Sequence, residues 1–258
     1  MDLNLEGKRA LVCGSTQGMG LAIAKELSLH GAMVTLFARD EDRLKEVVTQ
    51  LDGEDHDYLV ADFNQVDEVQ SCVREGLKKG YYHILINNTG GPAPGPLSEA
   101  RIEEFDTAMA RHLKVSHTLM QECLEGMKKS NYGRIVNIIS TSVKVPIPNL
   151  GVSNTVRGAM ASWSKTLATE LGPFGITVNN ILPGFINTGR IVSLIAGKSK
   201  AEGIEEAQVK ENMEDTIPSG RFGEPEEIAA YALLLCSPSG AYINGTSLRI
   251  DGGRTGSI

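Results

Sequence analysis

The sequence is poor in the features that mark several classes of protein. Its longest purely apolar run, residues 228–236, falls far short of the ~18 consecutive apolar residues that suggest a membrane-spanning helix. The N-terminal stretch MDLNLEGKRALVCG has no basic segment followed by an apolar stretch and a small-residue cleavage site. No secretory signal is therefore expected, and the protein reads as cytoplasmic. Only 4 cysteines occur in 258 residues (Cys13, Cys72, Cys123 and Cys236), far apart and without a C-x-x-C pair. That spacing argues against a zinc ribbon or a redox dithiol and predicts reduced, buried thiols. The 5 histidines form no H-x-x-x-H or H-E-x-x-H group, so no metal site is predicted. Basic charge is in deficit, with 25 Lys+Arg against 32 Asp+Glu and a formal net charge of −7. Nucleic-acid binding depends on Lys and Arg to displace counterions, and this balance argues against it.

What is present is an alternation of short β-branched runs and helical stretches. The strand-like runs are 9–13, 33–37, 58–61, 84–86, 134–139, 177–182 and 247–250. Between them, 19–29, 43–51, 66–77, 98–127, 155–171 and 225–235 carry helical spacing of apolar residues. Strands alternating with helices imply right-handed crossovers and a mainly parallel sheet. The expected fold is α/β: a single doubly wound Rossmann-type sheet of about seven strands with helices on both faces. No linker or shift of composition divides residues 1–258, so one domain is expected. Two segments break the rhythm. Residues 90–96 (GGPAPGP) read as a loop at the carboxyl end of a strand, where open α/β sheets bind ligands. Residues 187–223 are long, polar and rich in small side chains, the profile of a mobile lid; a solvated surface excursion is the plainer alternative.

Between the first strand and first helix, Gly14, Gly18 and Gly20 stand as G-x-x-x-G-x-G. Such a turn lets backbone approach an anion with no Cβ in the way, and the helix start supplies free N–H groups. Further along come Asn87-Asn88-Thr89-Gly90, Pro183-Gly184 with Thr188, Tyr242-Ile243-Asn244-Gly245 and Asp251-Gly252-Gly253. In order and spacing these motifs resemble the short-chain dehydrogenase/reductase family, over nearly the whole chain, with the strongest overall likeness to 3-oxoacyl reductases. The resemblance implies binding of a nicotinamide dinucleotide. Gly14, Ser15, Gln17, Gly18, Met19 and Gly20 would then line the pyrophosphate and ribose. Asp62 would bond the adenine, a helix N-cap being its plainer role. Asn88 would lie along the adenosine ribose, and Gly90 of the same N-N-x-G motif would also belong to the cofactor site. Pro183, Gly184, Ile186 and Thr188 would form the nicotinamide end. Asp40 follows Gly20 by 20 residues, which superficially fits an NAD rule. Matching the second strand instead puts Ala38 where NAD-using members carry Asp, with Arg39 next, so the reading is NADP(H), with NAD(H) as the alternative.

Members that interconvert alcohols and ketones use an Asn, a Ser and a Tyr-x-x-x-Lys pair. Matching through residues 134–139 puts Ser140 at the Ser. Matching through residues 163–167 puts Ser153 at the Tyr and Arg157 at the Lys; His112 takes the Asn position. A Ser hydroxyl is a poor proton donor, and a guanidinium has no accessible neutral form but holds an oxyanion or carboxylate through a planar fork. The pattern looks like a Tyr-lacking branch that includes a bacilysin-pathway reductase. Three functions follow. The first is hydride addition to an enone, with the oxygen held by Ser140 and Arg157. The second is reduction of a 3-oxoacyl, sugar or alcohol-type substrate with another proton donor, such as His112. The third is NADP(H) binding without turnover. Plainer roles are a strand-end bond for Ser140, a surface cation for Arg157, a packing residue for His112 and a helix N-cap for Ser153. The partner is a small molecule, with no nucleic acid or membrane. The resemblance implies a homotetramer or homodimer, consistent with an apolar stripe of Met160, Trp163, Leu167 and Leu171.

Overall fold

Residues 1–257 are described by a computed structural model of the chain. Seven parallel strands form one sheet: β1 (Arg9–Cys13), β2 (Met33–Ala38), β3 (Asp57–Val60), β4 (Ile84–Asn87), β5 (Gly133–Ile138), β6 (Ile176–Pro183) and β7 (Ser247–Ile250). Their order is β3-β2-β1-β4-β5-β6-β7. The helices are α1 (Gly18–Leu29), α2 (Glu41–Val48), α3 (Val66–Leu77), α4 (Ile102–Met109), α5 (Val115–Lys129), α6 (Gly151–Leu171), α7 (Gly189–Glu202), α8 (Glu206–Glu214) and α9 (Pro225–Cys236).

Side chains alternate across each strand, and both faces of the sheet are covered. Ala10 and Val12 point to one face, where they join Ile23 and Leu27 of α1 and Ala232 and Leu233 of α9. Leu11 and Cys13 point to the other, against Val69 and Val73 of α3 and Leu119 and Cys123 of α5. Burial on both sides is why β1 reads as an unbroken apolar run rather than as alternating residues. The winding reverses between β1 and β4, so their carboxyl ends open a crevice between the loops at 13–20 and 87–96.

Several expected boundaries shift for local reasons. The helical stretch at 98–127 is interrupted: a 3-10 turn (Leu97–Glu99) precedes α4, which starts anew where the Arg101 N–H donates to the Glu104 carboxylate. One π-helical turn (Ala110–Lys114) then separates α4 from α5. α2 starts at Glu41 because the Asp40 carboxylate accepts the Arg43 N–H at 3.0 Å. α6 begins at Gly151, ahead of the expected start, where a Cβ would lie 2.6 Å from Leu97. Residues 187–223, expected as a mobile lid or a solvated excursion, are largely helical. They hold α7 and α8, which enclose a small cluster of Ile191, Ile195, Val209, Met213, Ile217 and Phe222. Met160, Leu167 and Leu171 of the expected interface stripe are buried within the chain, and Trp163 is half-buried and donates to His117. That stripe faces the protein's own core. Among the described residues, no helix is long and apolar enough to cross a membrane.

Candidate functional site

The glycine loop is shaped by close approach. Gly14 and Gly18 have φ of +59° and +55°, values that favour glycine. A Cβ on Gly14 would sit 2.6 Å from the Asn88 carbonyl, and one on Gly20 would sit 2.1 Å from the Gly14 carbonyl. Asn88 ties the loop to β4, its Nδ2 donating to the carbonyls of Cys13 (3.3 Å) and Gly14 (3.2 Å). Its amide therefore shapes the loop, a role that the expectation of a ribose contact overlooked. Ser15 needs a plainer correction. Its side chain is completely buried, and its Oγ accepts the Phe37 N–H at 3.0 Å, so it braces β2 and offers no hydroxyl to a ligand. The half-exposed hydroxyl in this loop is that of Thr16, which the motif reading passed over. Arg43 lies against the same turn, its Nε donating to the Thr16 carbonyl at 3.4 Å. Gln17 is exposed and precedes α1 without a side-chain cap, which leaves the first N–H groups of the helix (Gly18, Met19 and Gly20) without intrahelical partners.

Around this loop, Arg39 is exposed at the end of β2. Asp62 does not cap α3, whose N-cap is Gln65. Instead its carboxylate accepts the Asn64 N–H at 3.0 Å and Asn64 Nδ2 at 2.9 Å. The Asn64 N–H, with Arg39 and Arg111 nearby, holds the Asp62 carboxyl below its ordinary value. Asn64 Oδ1 in turn accepts from Arg111, so Asp62 is linked to the π turn that carries His112. At the other end, position 184 requires glycine because a Cβ there would lie 2.7 Å from Asp251. Ile186 is buried and bridges to Gly223. Thr188 starts α7, and its methyl lies 3.1 Å from where a Gly18 Cβ would stand, so the two ends of the motif set meet across the crevice. Gly90 is open, whereas Gly91 lies under the Arg190 guanidinium.

The four candidate catalytic residues come from three elements. Ser140 follows β5 and is half-buried; its Oγ accepts the Ser142 N–H at 3.1 Å, capping a 3-10 turn (Thr141–Val143). Ser153 is buried inside the first turn of α6, two residues past its start, and does not cap the helix; the N-cap is Leu150. Arg157, one turn on, is 7% exposed and so is no surface cation. Its Nη1 donates to the Ile138 carbonyl at 3.0 Å, and no carboxylate pairs with it among the described residues. Burial, then the Arg190 charge, lowers its proton affinity to about 10, which leaves it cationic at neutral pH. His112 sits in the π turn, 2% exposed, with Nδ1 hydrogen-bonded to Thr89 Oγ1 and Nε2 buried without a partner. Burial first, then Arg157, Arg111 and Arg190, push it down to about 2, so it is neutral and cannot act as a protonated donor.

None of the tyrosines is directed to this group. Tyr81 accepts from Lys129, Tyr132 donates to the Cys236 carbonyl and Tyr242 is fully exposed. Tyr82 is buried beside Arg9, and Tyr58 and Tyr231 pack on the first core. Beneath the crevice runs a polar belt that sequence reading missed. Asn87 Nδ2 donates to Asn137 Oδ1, Asn137 Nδ2 to Ser164 Oγ and Asn180 Oδ1, and Asn180 Nδ2 to Ser247. Its signal was present: Asn breaks three strands that are otherwise apolar, and buried amides persist only when bonded.

Fold and site together define an oxidoreductase built on a dinucleotide-binding sheet. A family model described as enoyl-(acyl carrier protein) reductase matches residues 14–255, and the chain belongs to the short-chain dehydrogenase/reductase family. It is 34% identical over 253 residues to 3-oxoacyl-(acyl-carrier-protein) reductase FabG of Haemophilus influenzae, covering 96% of this chain and 98% of that protein. Among solved structures it resembles L-sorbose reductase from Gluconobacter frateurii complexed with NADPH and L-sorbose (TM-score 0.95, 30% identity, 100% of both chains). It also resembles YwfH, an NADPH-dependent reductase involved in bacilysin biosynthesis (TM-score 0.91, 27% identity, 97% of this chain and 99% of that one).

Proposed function

We propose that the chain is an NADP(H)-dependent reductase of small carbonyl compounds, and that its substrate is an α,β-unsaturated carbonyl reduced at the β-carbon. The residues fit the cofactor. The tight glycines leave backbone space over the loop, and the start of α1 offers N–H groups to a pyrophosphate. Arg39 is free to meet a 2′-phosphate, while Asp40, the acid that a 2′-OH would need, has its carboxylate engaged by the Arg43 N–H. NADPH bound there supplies a hydride at the nicotinamide end, beside Ile186 and Thr188.

On the family's spacing, Ser153 and Arg157 hold the Tyr and Lys positions, so the usual proton relay is absent. The observation that carries the reading is the buried, carboxylate-free Arg157 guanidinium, anchored two residues before Ser140. Hydride addition to the β-carbon pushes the C=C pair onto the carbonyl, and the resulting enolate oxygen needs donors rather than a matched acid. Arg157 and Ser140 would supply them, and water would protonate the α-carbon. Arg190 adds a second cation, which suits a substrate bearing a carboxylate. α7 and α8 would act as a lid over this end. The homodimer or homotetramer that the family resemblance implies belongs to the same proposal and is read by sedimentation.

Similarity to FabG and L-sorbose reductase favours a second reading, reduction of a ketone with the proton entering through Ser140. NADPH oxidation with cyclohexenone against cyclohexanone, and with β-acetylacrylate against levulinate, separates the two. Turnover confined to the unsaturated member of each pair supports conjugate reduction; turnover confined to the saturated ketones replaces it with the second reading. Fluorescence-detected NADPH binding without turnover of any of the four would point to a non-catalytic binder.

A further inference from the structure

We infer that Thr89 is a positioning residue, whose hydroxyl donates to His112 Nδ1 and thereby holds the imidazole as the Nε2–H tautomer, with that N–H offered to the substrate oxygen. It deepens the function proposed above and rests on that reading only where turnover is concerned.

The inference starts from a polar group with no protein partner. His112 Nε2 is buried and unbonded, a costly state for an imidazole nitrogen unless something else completes it. The ring is fixed from its other side by Thr89, which directly follows Asn88 and opens the 90–96 loop, so both residues sit at the carboxyl edge of β4. Among the described residues, Thr89 Oγ1 has no other partner. Donating to Nδ1 gives the half-buried Thr89 hydroxyl a protein acceptor and places the ring hydrogen on Nε2, whereas accepting from Nδ1–H would leave its proton to solvent.

The surroundings support a neutral donor. The charged groups facing the ring are Arg111 on its own turn, Arg157 from α6 and Arg190 from the start of α7, and no carboxylate is among them. This field keeps a second proton off the imidazole and draws a negatively polarised oxygen toward Nε2–H. The π turn matters because its extra residue rotates His112 relative to a continuous helix, a distortion that costs helix regularity.

The test is long-range proton–nitrogen NMR of 15N-labelled protein, with His112 assigned among the 5 histidines by its loss in His112→Asn. Wild type should show an Nε2–H imidazole that does not titrate between about pH 8 and about pH 5. Thr89→Ser should preserve that signature, and Thr89→Val should convert it to a tautomer mixture. An Nδ1–H form in wild type, or no change in Thr89→Val, overturns the assignment. With β-acetylacrylate and NADPH, Thr89→Val should lower kcat roughly three- to tenfold while NADPH affinity holds, and Thr89→Ser should restore it. A shifted tautomer with unchanged kcat would overturn the contact between His112 and substrate while leaving the Thr89 bond intact.

Discussion

At the nucleotide end of the crevice, shape is set by backbone. Gly14 and Gly20 fit where no Cβ can, Asn88 pins the loop, and Ser15 braces β2 from below. At the reaction end, chemistry is set by side chains held in a deliberately uncomfortable state. Among the described residues, Arg157 is buried without a counter-ion and His112 is buried with one nitrogen unbonded. The first kind of site tolerates little steric change and needs no unusual protonation. On the function proposed above, the second sacrifices stability to keep cations and a neutral donor ready for an oxygen that develops charge.

The sharpest way to break the contrast is Gly20→Ala, whose methyl would meet the Gly14 carbonyl at 2.1 Å. NADPH binding should fall below detection by fluorescence, with a destabilisation of roughly 1–3 kcal/mol in thermal melts. A variant that binds NADPH normally would show that the loop is not the nucleotide site. Next in size, Arg157→Met should cut turnover by roughly a hundredfold while leaving stability unchanged or raised, because it removes an unpaired buried charge. A variant that melts far lower yet turns over normally would make Arg157 a structural residue.

Acid sensitivity separates the two ends further. His112 binds its proton far less readily when folded, being lowered to about 2, than in the unfolded chain, near 6.5. Its contribution to stability is therefore present above about pH 6.5 and is lost as pH falls, at up to ~1.4 kcal/mol per pH unit. Denaturant unfolding should show roughly 2 kcal/mol lost by about pH 5 in wild type and a flatter response in His112→Asn. Equal acid loss in both proteins would contradict a neutral His112. The smallest expected effect is at the nucleotide end: Arg39→Ala should weaken NADPH binding about tenfold and leave NADH nearly unchanged. Equal losses for both cofactors would remove Arg39 from phosphate selection.

The regular part of the fold was legible because burial on both faces of a parallel sheet writes itself as apolar runs separated by helical periodicity. The glycine pattern at 14–20 was equally readable, since a missing Cβ is visible in one dimension. Ser15 was misread because adjacency in a loop does not say which side chain turns inward; only its bond to Phe37 does. The helices within residues 187–223 were not legible because α7 and α8 bury only a small apolar cluster of their own, completed by Ile217 and Phe222. Thr16, the pairing of Thr89 with His112 and the bonding of the asparagine belt were not legible for the same reason: their partners come from other strands and helices.

By itself, the order of residues determined the doubly wound sheet and the place of the tight glycine loop between β1 and α1. These are local properties of composition, period and spacing. The third dimension decided that Arg157 lies buried and unpaired, that His112 is neutral, and that Thr89 stands against it. Charge state and hydrogen bonding depend on burial and on neighbours distant along the chain, and both arise only once the layers have packed.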